Sequence, residues 1–394
     1  MPVFNRRYFL RAAGLSSLPL LVPAAAMTAN GREYTAPGTE PLVKLFGDGE
    51  MFDTTGYINE LQKINTAKQI EPDRYGAGGV VTELEKKFAD ITGKEKAIFM
   101  PSGTMANQLA IATLSGEHTK VIVQETSHVY RDEADAAQRV FGKRLIPLAN
   151  EATYFTTVEL QQAVKYHKSS EAFESEVGCV SIENPVRRSD GRMVPITEIK
   201  KISAYCNSNN IKLHLDGARI YMAAAWSGVS VKEYASYFDT IYISLYKYLG
   251  AAGGAVLCGS TEVIGKMEQL IKIHGGSMYR NWTNAAMALH RLDGMESRLL
   301  NAKENSVKIF AAVNQMPGIK ISALDGGTNI YAISLAKNIN GKLFKETMDK
   351  KYGIRFPYPD ANNESKISVN ETLLYKETQA IIIAFKDALE QAVG

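Results

Sequence analysis

Short apolar runs alternate with longer amphipathic stretches through the middle of the chain. The runs have the length of buried strands and occur at 97–100, 121–124, 144–148, 178–183, 212–216, 240–245 and 255–258. Between them, apolar residues at helical spacing predict helices, for example over 105–114, 197–207 and 217–227. Strands that alternate with helices in this way are typical of a mainly parallel sheet covered by helices on both faces.

The pattern changes in the last quarter of the chain. A long helical stretch over 284–316 ends at Pro317-Gly318. Candidate strands follow at 320–323, 329–335 and 366–369, with candidate helices at 342–350 and 376–393. We predict an α/β protein with a large, doubly wound domain over 71–295 and a small C-terminal α+β domain over 296–394. The segment 34–70 is neither clearly core nor linker, and we expect it to wrap the neighbouring domain or a partner subunit.

Residues 1–26 have the pattern of a cleavable export signal. Arg6, Arg7 and Arg11 precede a modest apolar run that contains two prolines and ends in Ala24-Ala25-Ala26. The run is shorter than the roughly 20 residues needed to span a bilayer. Because the paired arginines resemble a twin-arginine signal, we expect a periplasmic protein with no membrane attachment after signal removal. The alternative is a disordered basic tail beside a helix.

Composition and charge exclude several classes of protein. The 394 residues are 45% apolar and 22% charged, which excludes a disordered chain, a collagen and a polytopic membrane protein. Outside the three arginines of residues 1–26, 42 basic side chains face 42 acidic ones. This balance leaves no general electrostatic footprint for nucleic acid or anionic lipid. Cys179, Cys206 and Cys258 lack the spacing of metal ligands, and we expect them to be buried free thiols.

The first candidate for chemistry is the segment Ser102-Gly103-Thr104, which follows the predicted strand 97–100 and opens a helix. In open α/β sheets, ligands bind at the carboxyl ends of strands. Small residues allow the backbone N–H groups to approach an anion, and the helix N-terminus adds partial positive charge. The segment therefore predicts a phosphate site, and an ordinary helix cap by Ser102 or Thr104 is the alternative.

Asp216 and Lys247 are the other two candidates, because each stands where an apolar strand ends. A buried carboxylate at 216 needs a cation or a protonated nitrogen, and an ion pair with Arg219 or a helix cap is the alternative. A lysine desolvated at 247 has a lowered pKa and can act as a nucleophile, whereas a solvated surface lysine is the common alternative. A phosphate site, an aspartate and a lysine in this order are what pyridoxal phosphate requires.

The same segments resemble the threonine aldolase and aromatic amino acid β-eliminating lyase family of fold-type I pyridoxal-phosphate enzymes. The resemblance is densest at 74–76, 83–85, 99–108, 127–129, 183–184, 214–219 and 244–251. It implies that Lys247 is the Schiff-base lysine and that Asp216 contacts the pyridine nitrogen. It also implies that His128 stacks on the cofactor ring as a catalytic residue, with a buried structural histidine as the alternative.

The resemblance further implies which residues hold the phosphate and the substrate. Gly103, Thr104 and Ser244 would bind the phosphate, and Arg219 would face the ring oxygen and the substrate carboxylate. In this family the site lies between two subunits, with Tyr75 and the segment 275–280 near the partner's cofactor. We therefore expect a homodimer or homotetramer, with Tyr75 among the substrate contacts.

Three positions depart from the family pattern. Gly47 stands where a serine usually precedes the aspartate, here Asp48, so one carboxylate contact is missing. Val186 replaces a histidine that is one candidate for handling the substrate's β-hydroxyl, which removes a possible base. Lys366 replaces a C-terminal-domain arginine and offers a point charge where arginine would offer a bidentate fork. Arg355, Arg187 or Arg188 are candidates to compensate.

We predict a pyridoxal-phosphate lyase of amino acids, most simply an aldolase that cleaves a threonine-like β-hydroxy-α-amino acid to glycine and an aldehyde. Val186 and Lys366 favour the enzymatic alternative, a β-eliminating lyase. A protein that binds the cofactor with little turnover is the alternative from another class. No motif of a metal enzyme is present, and we expect no metal site.

Overall fold

The computed structural model describes residues 41–173 and 175–393. The predicted export signal at 1–26 lies outside these residues, as do positions 34–40 of the predicted N-terminal segment. No helix in the described part of the chain is long and apolar enough to cross a membrane.

Strands at the predicted positions build a central seven-stranded sheet. In chain order the strands are β1 (Val43–Lys44), β2 (Lys96–Met100), β3 (Lys120–Gln124), β4 (Arg144–Leu148), β5 (Val177–Glu183), β6 (Lys212–Asp216), β7 (Thr240–Ser244), β8 (Ala255–Gly259), β9 (Ile319–Ala323), β10 (Ile330–Leu335), β11 (Ile354–Arg355) and β12 (Glu364–Ser368). The central sheet has the order β2-β8-β7-β6-β5-β3-β4. β8 runs antiparallel to both neighbours, and the remaining pairs are parallel. The predicted mainly parallel α/β architecture is confirmed.

Helices connect the strands of this sheet and cover it. They are α1 (Thr54–Ala67), α2 (Gly79–Thr92), α3 (Gly103–Ser115), α4 (His128–Arg131), α5 (Ala136–Phe141), α6 (Thr157–Ser169), α7 (Ile196–Ser208), α8 (Ile220–Ser227), α9 (Val231–Ser236), α10 (Thr261–Gly265), α11 (Met267–Ile273), α12 (Trp282–Leu292), α13 (Met295–Val313), α14 (Gly341–Tyr352) and α15 (Thr378–Ala392), with 3-10 turns at Arg187–Ser189 and Glu371–Tyr375. The single helix expected over 284–316 is two helices, because Gly294 between α12 and α13 is left-handed at φ 66°.

The hydrophobic core has two large clusters among the described residues. The first lies around the central sheet and includes Phe88, Ile122 and Ile241. The second lies around the small antiparallel sheet β12-β10-β9 and includes Phe344. Helix α13 contributes to both clusters, and the described residues belong to one compact unit. The boundary placed between residues 295 and 296 stays a prediction.

The described part of segment 34–70 is divided between these two clusters. Val43 and Leu45 are buried in the second cluster, where β1 pairs in parallel with β11. Helix α1 packs against α12, and Leu61 of α1 lies against the first cluster. Residues 43–61 therefore join the sheet domain to the C-terminal part of the chain.

The three cysteines, Cys179, Cys206 and Cys258, are buried free thiols, as expected.

Candidate active site

The carboxyl ends of β5, β6 and β7 meet at one edge of the central sheet. The register pairs Glu183 with Asp216, and Asp216 with Tyr242 two residues before the end of β7. Ser244 is the last residue of β7, and Lys247 follows in the loop to β8. Because adjacent parallel strands end at the same edge, this order collects the predicted site residues at the place where α/β sheets bind ligands.

Lys247 is buried, with only 6% of its surface exposed. Burial lowers the pKa of its amine, and the nearby Arg219 guanidinium lowers it further. The carboxylate of Asp216 acts in the opposite direction but more weakly. The Nζ atom lies 5.4 Å from the centroid of the Tyr246 ring. These surroundings favour the neutral, nucleophilic amine and rule out a solvated surface lysine.

Asp216 is also buried, and a chain of hydrogen bonds fixes its carboxylate. Asn107 of α3 donates from Nδ2 to Asp216 Oδ2 at 3.1 Å, and the backbone N–H of Ala218 donates to Oδ1 at 3.1 Å. The Oδ1 atom of Asn107 lies 3.0 Å from Nε2 of His214, whose Nδ1 lies 2.8 Å from the Thr240 hydroxyl. Burial lowers the pKa of His214 to about 4. A neutral His214 can donate from Nε2 and accept at Nδ1, which orients the Asn107 amide.

Two further buried carboxyl groups stand beside Asp216. Glu133 Oε1 accepts the second Nδ2 hydrogen of Asn107 at 2.8 Å, and burial raises the pKa of Glu133 to about 8. Burial, reinforced by the charge of Asp216, raises the pKa of Glu183 to about 7. Three carboxyl groups in one buried region cannot all ionise cheaply, and the raised pKa of Glu133 means that this residue holds a proton at neutral pH.

His128 lies beside this group, where Glu183 at the end of β5 binds its backbone. Its backbone N–H, at the start of α4, donates to Glu183 Oε2 at 2.7 Å. Its Nδ1 lies 3.3 Å from Asp132 Oδ2, and 28% of its side chain is exposed. Burial lowers the pKa of His128, so the imidazole is neutral near neutral pH. His128 is therefore a partly open imidazole that senses the charges of both Asp216 and Lys247.

The predicted phosphate site combines the start of α3 with the end of β7. Ser102 caps α3 by accepting a hydrogen bond from the Met105 N–H at 3.2 Å, so the capping alternative is also realised. Within the described chain, Ser244 Oγ is buried and makes no hydrogen bond of normal geometry. A Cβ atom at Gly103 would lie 2.1 Å from the Tyr242 hydroxyl. Only glycine therefore allows α3 to start this close to β7.

Arg219 lies at the site but already has a partner. Its Nε and Nη2 atoms donate to Asp48 Oδ1 and Oδ2 at 2.6 and 2.9 Å. The two residues are 171 positions apart in the chain. The expected alternative, an ion pair between Asp216 and Arg219, is not formed in the described structure; the partner of Arg219 is Asp48. The positive charge of Arg219 nevertheless acts on both Lys247 and Glu183.

Two predicted substrate residues lie away from this group. Lys366 of β12 contacts both carboxylate oxygens of Asp190 at 2.7 and 2.8 Å. Tyr75 is half-exposed and stacks edge-on against Tyr279, with Lys272 Nζ over its ring at 5.3 Å. Within the described residues, neither side chain forms a hydrogen bond or an ion pair with another residue of the group around Lys247. Their substrate roles stay predictions.

The sequence did not predict the residues whose hydrogen bonds orient the carboxylate of Asp216. Asn107 belongs to the segment at 99–108 that carried the resemblance, but a buried amide on a helix has no chemical signature of its own. His214 precedes Asp216 by two residues in the same strand, so the two side chains point to the same face of the sheet. Glu133 follows His128 by five residues and had no signal in the sequence. No cluster of metal ligands occurs in the described residues.

These residues fit pyridoxal phosphate. The buried Ser244 hydroxyl lacks a partner where the phosphate was predicted, and Gly103 keeps the start of α3 open. Lys247 is a buried amine with a lowered pKa. Asp216 is a buried carboxylate with room for one more donor on each oxygen. A phosphate, an aldehyde and a ring nitrogen would satisfy these groups.

Comparisons with known proteins agree with the geometry. The family model described as Beta-eliminating lyase matches residues 52–336. The low-specificity L-threonine aldolase of Candida albicans is 32% identical over 274 residues, which are 69% of this chain and 72% of that protein. A Listeria monocytogenes structure, provisionally named an L-allo-threonine aldolase, has a TM-score of 0.73 at 24% identity and covers 90% of this chain and 97% of that one.

A more distant structure supports the fold alone. SPT with bound PLP has a TM-score of 0.61 at 15% identity, over 89% of this chain and 88% of that chain. This likeness shows a shared fold. The cofactor follows from the family match over residues 52–336, and it is pyridoxal phosphate. From the family match and the residues gathered around Lys247, the chain belongs to the β-eliminating lyase family of pyridoxal-phosphate enzymes.

Proposed function

We propose that the protein cleaves a β-hydroxy-α-amino acid, with threonine as the model, to glycine and an aldehyde. One observation carries the proposal. A buried amine, Lys247, stands at the same sheet edge as a buried carboxylate, Asp216, which Asn107 and Ala218 hold in a fixed orientation. The threonine aldolases among the relatives, such as that of Candida albicans, support this choice of substrate.

The residues of the chain divide the work between them. When bound, the cofactor supplies an electron sink that stabilises negative charge at the substrate Cα. Lys247 would hold the cofactor and later exchange places with the substrate amine, which its lowered pKa favours. Asp216 would hold the proton on the ring nitrogen. Ser244 and the first N–H groups of α3 would bind the phosphate.

Aldol cleavage also needs an acceptor for the proton of the β-hydroxyl. The side chain of Val186 has no polar atom and is fully buried, so it cannot take that role. His128 is neutral near neutral pH because burial lowers its pKa, and its side chain is partly open. We assign the proton transfer to His128, a group of the kind that contributes about 10²- to 10⁴-fold to a rate.

Val186 also favours a second candidate, β-elimination. A substrate whose β-substituent leaves as an anion has no β-hydroxyl to deprotonate. A valine at position 186 would therefore not lower the rate of β-elimination. Product analysis separates the two reactions on the purified mature protein with bound cofactor. Glycine and an aldehyde from a β-hydroxy amino acid support the aldolase. If the protein instead forms ammonia and a keto acid from a substrate with a β-leaving group, it is a β-eliminating lyase and the aldolase proposal is wrong.

We propose that the protein forms a homodimer or homotetramer with sites at the subunit interface. Tyr75, Met278 and Tyr279 are half-exposed, and Ile273 is more exposed still. These residues lie in or beside the segment 275–280. Its Gly276 packs so closely on Met105 and Pro101 that a Cβ would lie 2.6 Å from the methionine sulfur. Light scattering of the purified protein tests the oligomer, and a monomer with full activity would contradict it.

We also propose that the protein is exported to the periplasm in folded form. Support comes from the paired arginines and the short apolar run of residues 1–26. Replacing Arg6 and Arg7 by lysine should leave the precursor in the cytoplasm, as measured by cell fractionation. Normal export of that variant through the general secretory route would refute the proposal.

A further inference from the structure

The substrate of the proposed reaction carries a carboxylate, and an arginine or lysine at the site is the strongest partner for it. Arg219 and Lys366 are the residues that the sequence assigned to this task. Both are already engaged, because Arg219 makes two hydrogen bonds to Asp48 and Lys366 contacts both oxygens of Asp190. A substrate that used either cation would have to share it with a carboxylate of the protein. A less committed cation at the same site is the better candidate.

The turn 186–192 places two arginines beside His128. Val186 and Arg192 close the turn through a backbone hydrogen bond of 2.9 Å. The backbone N–H of Arg187 donates to Glu183 Oε1 at 2.9 Å, while the N–H of His128 donates to Glu183 Oε2 at 2.7 Å. One carboxyl group at the end of β5 therefore holds both Arg187 and His128, which fixes the start of the turn relative to the candidate imidazole.

The two arginines beside His128 are held with different firmness. Arg188 contacts both carboxylate oxygens of Asp132 at 2.5 and 3.0 Å. Arg187 reaches the same carboxylate with a single contact of 3.4 Å, and His128 Nδ1 lies 3.3 Å from it. Both arginines thus share the carboxylate of Asp132, and the buried carboxyl group of Glu183 lies beside them. Arg187 is the more weakly held of the two, and 54% of its side chain is exposed.

We propose that Arg187 binds a carboxylate of the amino acid substrate. The inference rests on the proposed function, because it presupposes that an amino acid enters beside His128. Arginine suits the task, since its planar fork can hold a carboxylate through two hydrogen bonds. The carboxylate can come from the α-position of any amino acid or from an acidic side chain, and these sources are separated by experiment.

The test uses the enzyme with bound cofactor and measures binding apart from turnover. Glycine and glycinamide are titrated against the visible absorbance of the cofactor, in the wild type and in Arg187→Gln. Because glycinamide lacks the carboxylate, the ratio of the two dissociation constants isolates the contact. In parallel, kcat/KM is measured for β-hydroxyaspartate and β-hydroxyasparagine. Arg144→Gln is the matched control, since Arg144 is 58% exposed, is paired with Glu171, and stands at the start of β4, at the opposite edge of the sheet from the ends of β5, β6 and β7.

A charge-assisted contact of this kind predicts a loss of about 10- to 100-fold. If Arg187 binds the α-carboxylate, Arg187→Gln raises the dissociation constant of glycine by that factor and leaves the dissociation constant of glycinamide within about twofold of the wild-type value. If Arg187 binds a side-chain carboxylate, the ratio of kcat/KM for β-hydroxyaspartate to kcat/KM for β-hydroxyasparagine falls by that factor instead. Arg187→Lys should recover part of either loss because it keeps the charge.

The proposal is overturned if both ratios in Arg187→Gln stay at their wild-type values. It is also overturned if Lys366→Gln or Arg355→Gln produces the loss while Arg187→Gln does not. Failure of the proposed function gives a different result. In that case no glycine and aldehyde form from any β-hydroxy amino acid, while glycine still binds more tightly to the wild type than to Arg187→Gln.

Discussion

Glu133→Gln tests the buried hydrogen-bond network behind Asp216. The substitution keeps the size of the side chain and the oxygen that accepts the hydrogen bond from Asn107. It removes only the ability of residue 133 to ionise. If Glu133 is protonated in the folded protein, the variant should be as stable as the wild type at low pH and more stable at high pH.

The sign and size follow from the pKa. Burial raises the pKa of Glu133 from 4.5 to about 8. A group whose pKa is raised by folding contributes stability that is complete below its unfolded pKa and is lost as the pH rises through its folded pKa. The loss therefore occurs between about pH 4.5 and pH 8. Its upper limit is on the order of 5 kcal/mol, because each pKa unit corresponds to about 1.4 kcal/mol.

Urea unfolding of the cofactor-free protein at pH 5 and pH 9 measures the effect. Glu183, whose pKa burial also raises, is present in both proteins, so the difference between wild type and Glu133→Gln reports the ionisation of residue 133 together with its effect on Glu183. Asp387→Asn serves as a control, since Asp387 forms a surface ion pair with Lys351 at 2.8 Å. If the wild type and Glu133→Gln lose stability equally between the two pH values, the claim that Glu133 is protonated in the folded protein is wrong.

Three further substitutions test separate parts of the site. Ser244→Ala should leave the stability of the cofactor-free protein nearly unchanged, because the hydroxyl makes no hydrogen bond of normal geometry there, yet weaken cofactor binding about tenfold in equilibrium dialysis. Equal binding would exclude Ser244 from the phosphate site. Gly103→Ala forces a Cβ within 2.1 Å of the Tyr242 hydroxyl, so thermal unfolding should show a loss of about 1–3 kcal/mol together with weaker cofactor binding, and unchanged values would contradict the close approach. Asp48→Ala leaves the largely buried Arg219 without its carboxylate and should cost about 3–5 kcal/mol in urea unfolding; a cost below about 1 kcal/mol would show that the ion pair is dispensable.

The central sheet was predictable because buried parallel strands consist of continuous apolar residues. The predicted strand at 144–148 agrees with β4, and the one at 212–216 agrees with β6. The direction of β8 was not predicted, because an apolar run has the same composition in either direction. A usable signal was present, since only residues 245–254 connect β7 to β8 and a parallel crossover needs room for a helix.

The candidate site was predictable where its residues lie at strand ends. Lys247 and Asp216 follow or end apolar runs, and the sheet brings such positions to one edge. The partners of Arg219 and Lys366 were not predictable, because Asp48 and Asp190 lie far from them in the chain. Long-range ion pairs depend on how domains pack, and residue spacing carries no information on that packing.

The most direct test of the site is chemical reduction of the purified enzyme with borohydride, followed by peptide mass mapping. Reduction makes the bond between a lysine and the cofactor's aldehyde permanent, so the modified residue can be identified. We expect the mass of reduced pyridoxal phosphate on the peptide that contains Lys247, and its absence in Lys247→Ala. Modification of a different lysine, or no modification of a cofactor-saturated protein, would contradict the assignment of Lys247 and Asp216 as the catalytic centre.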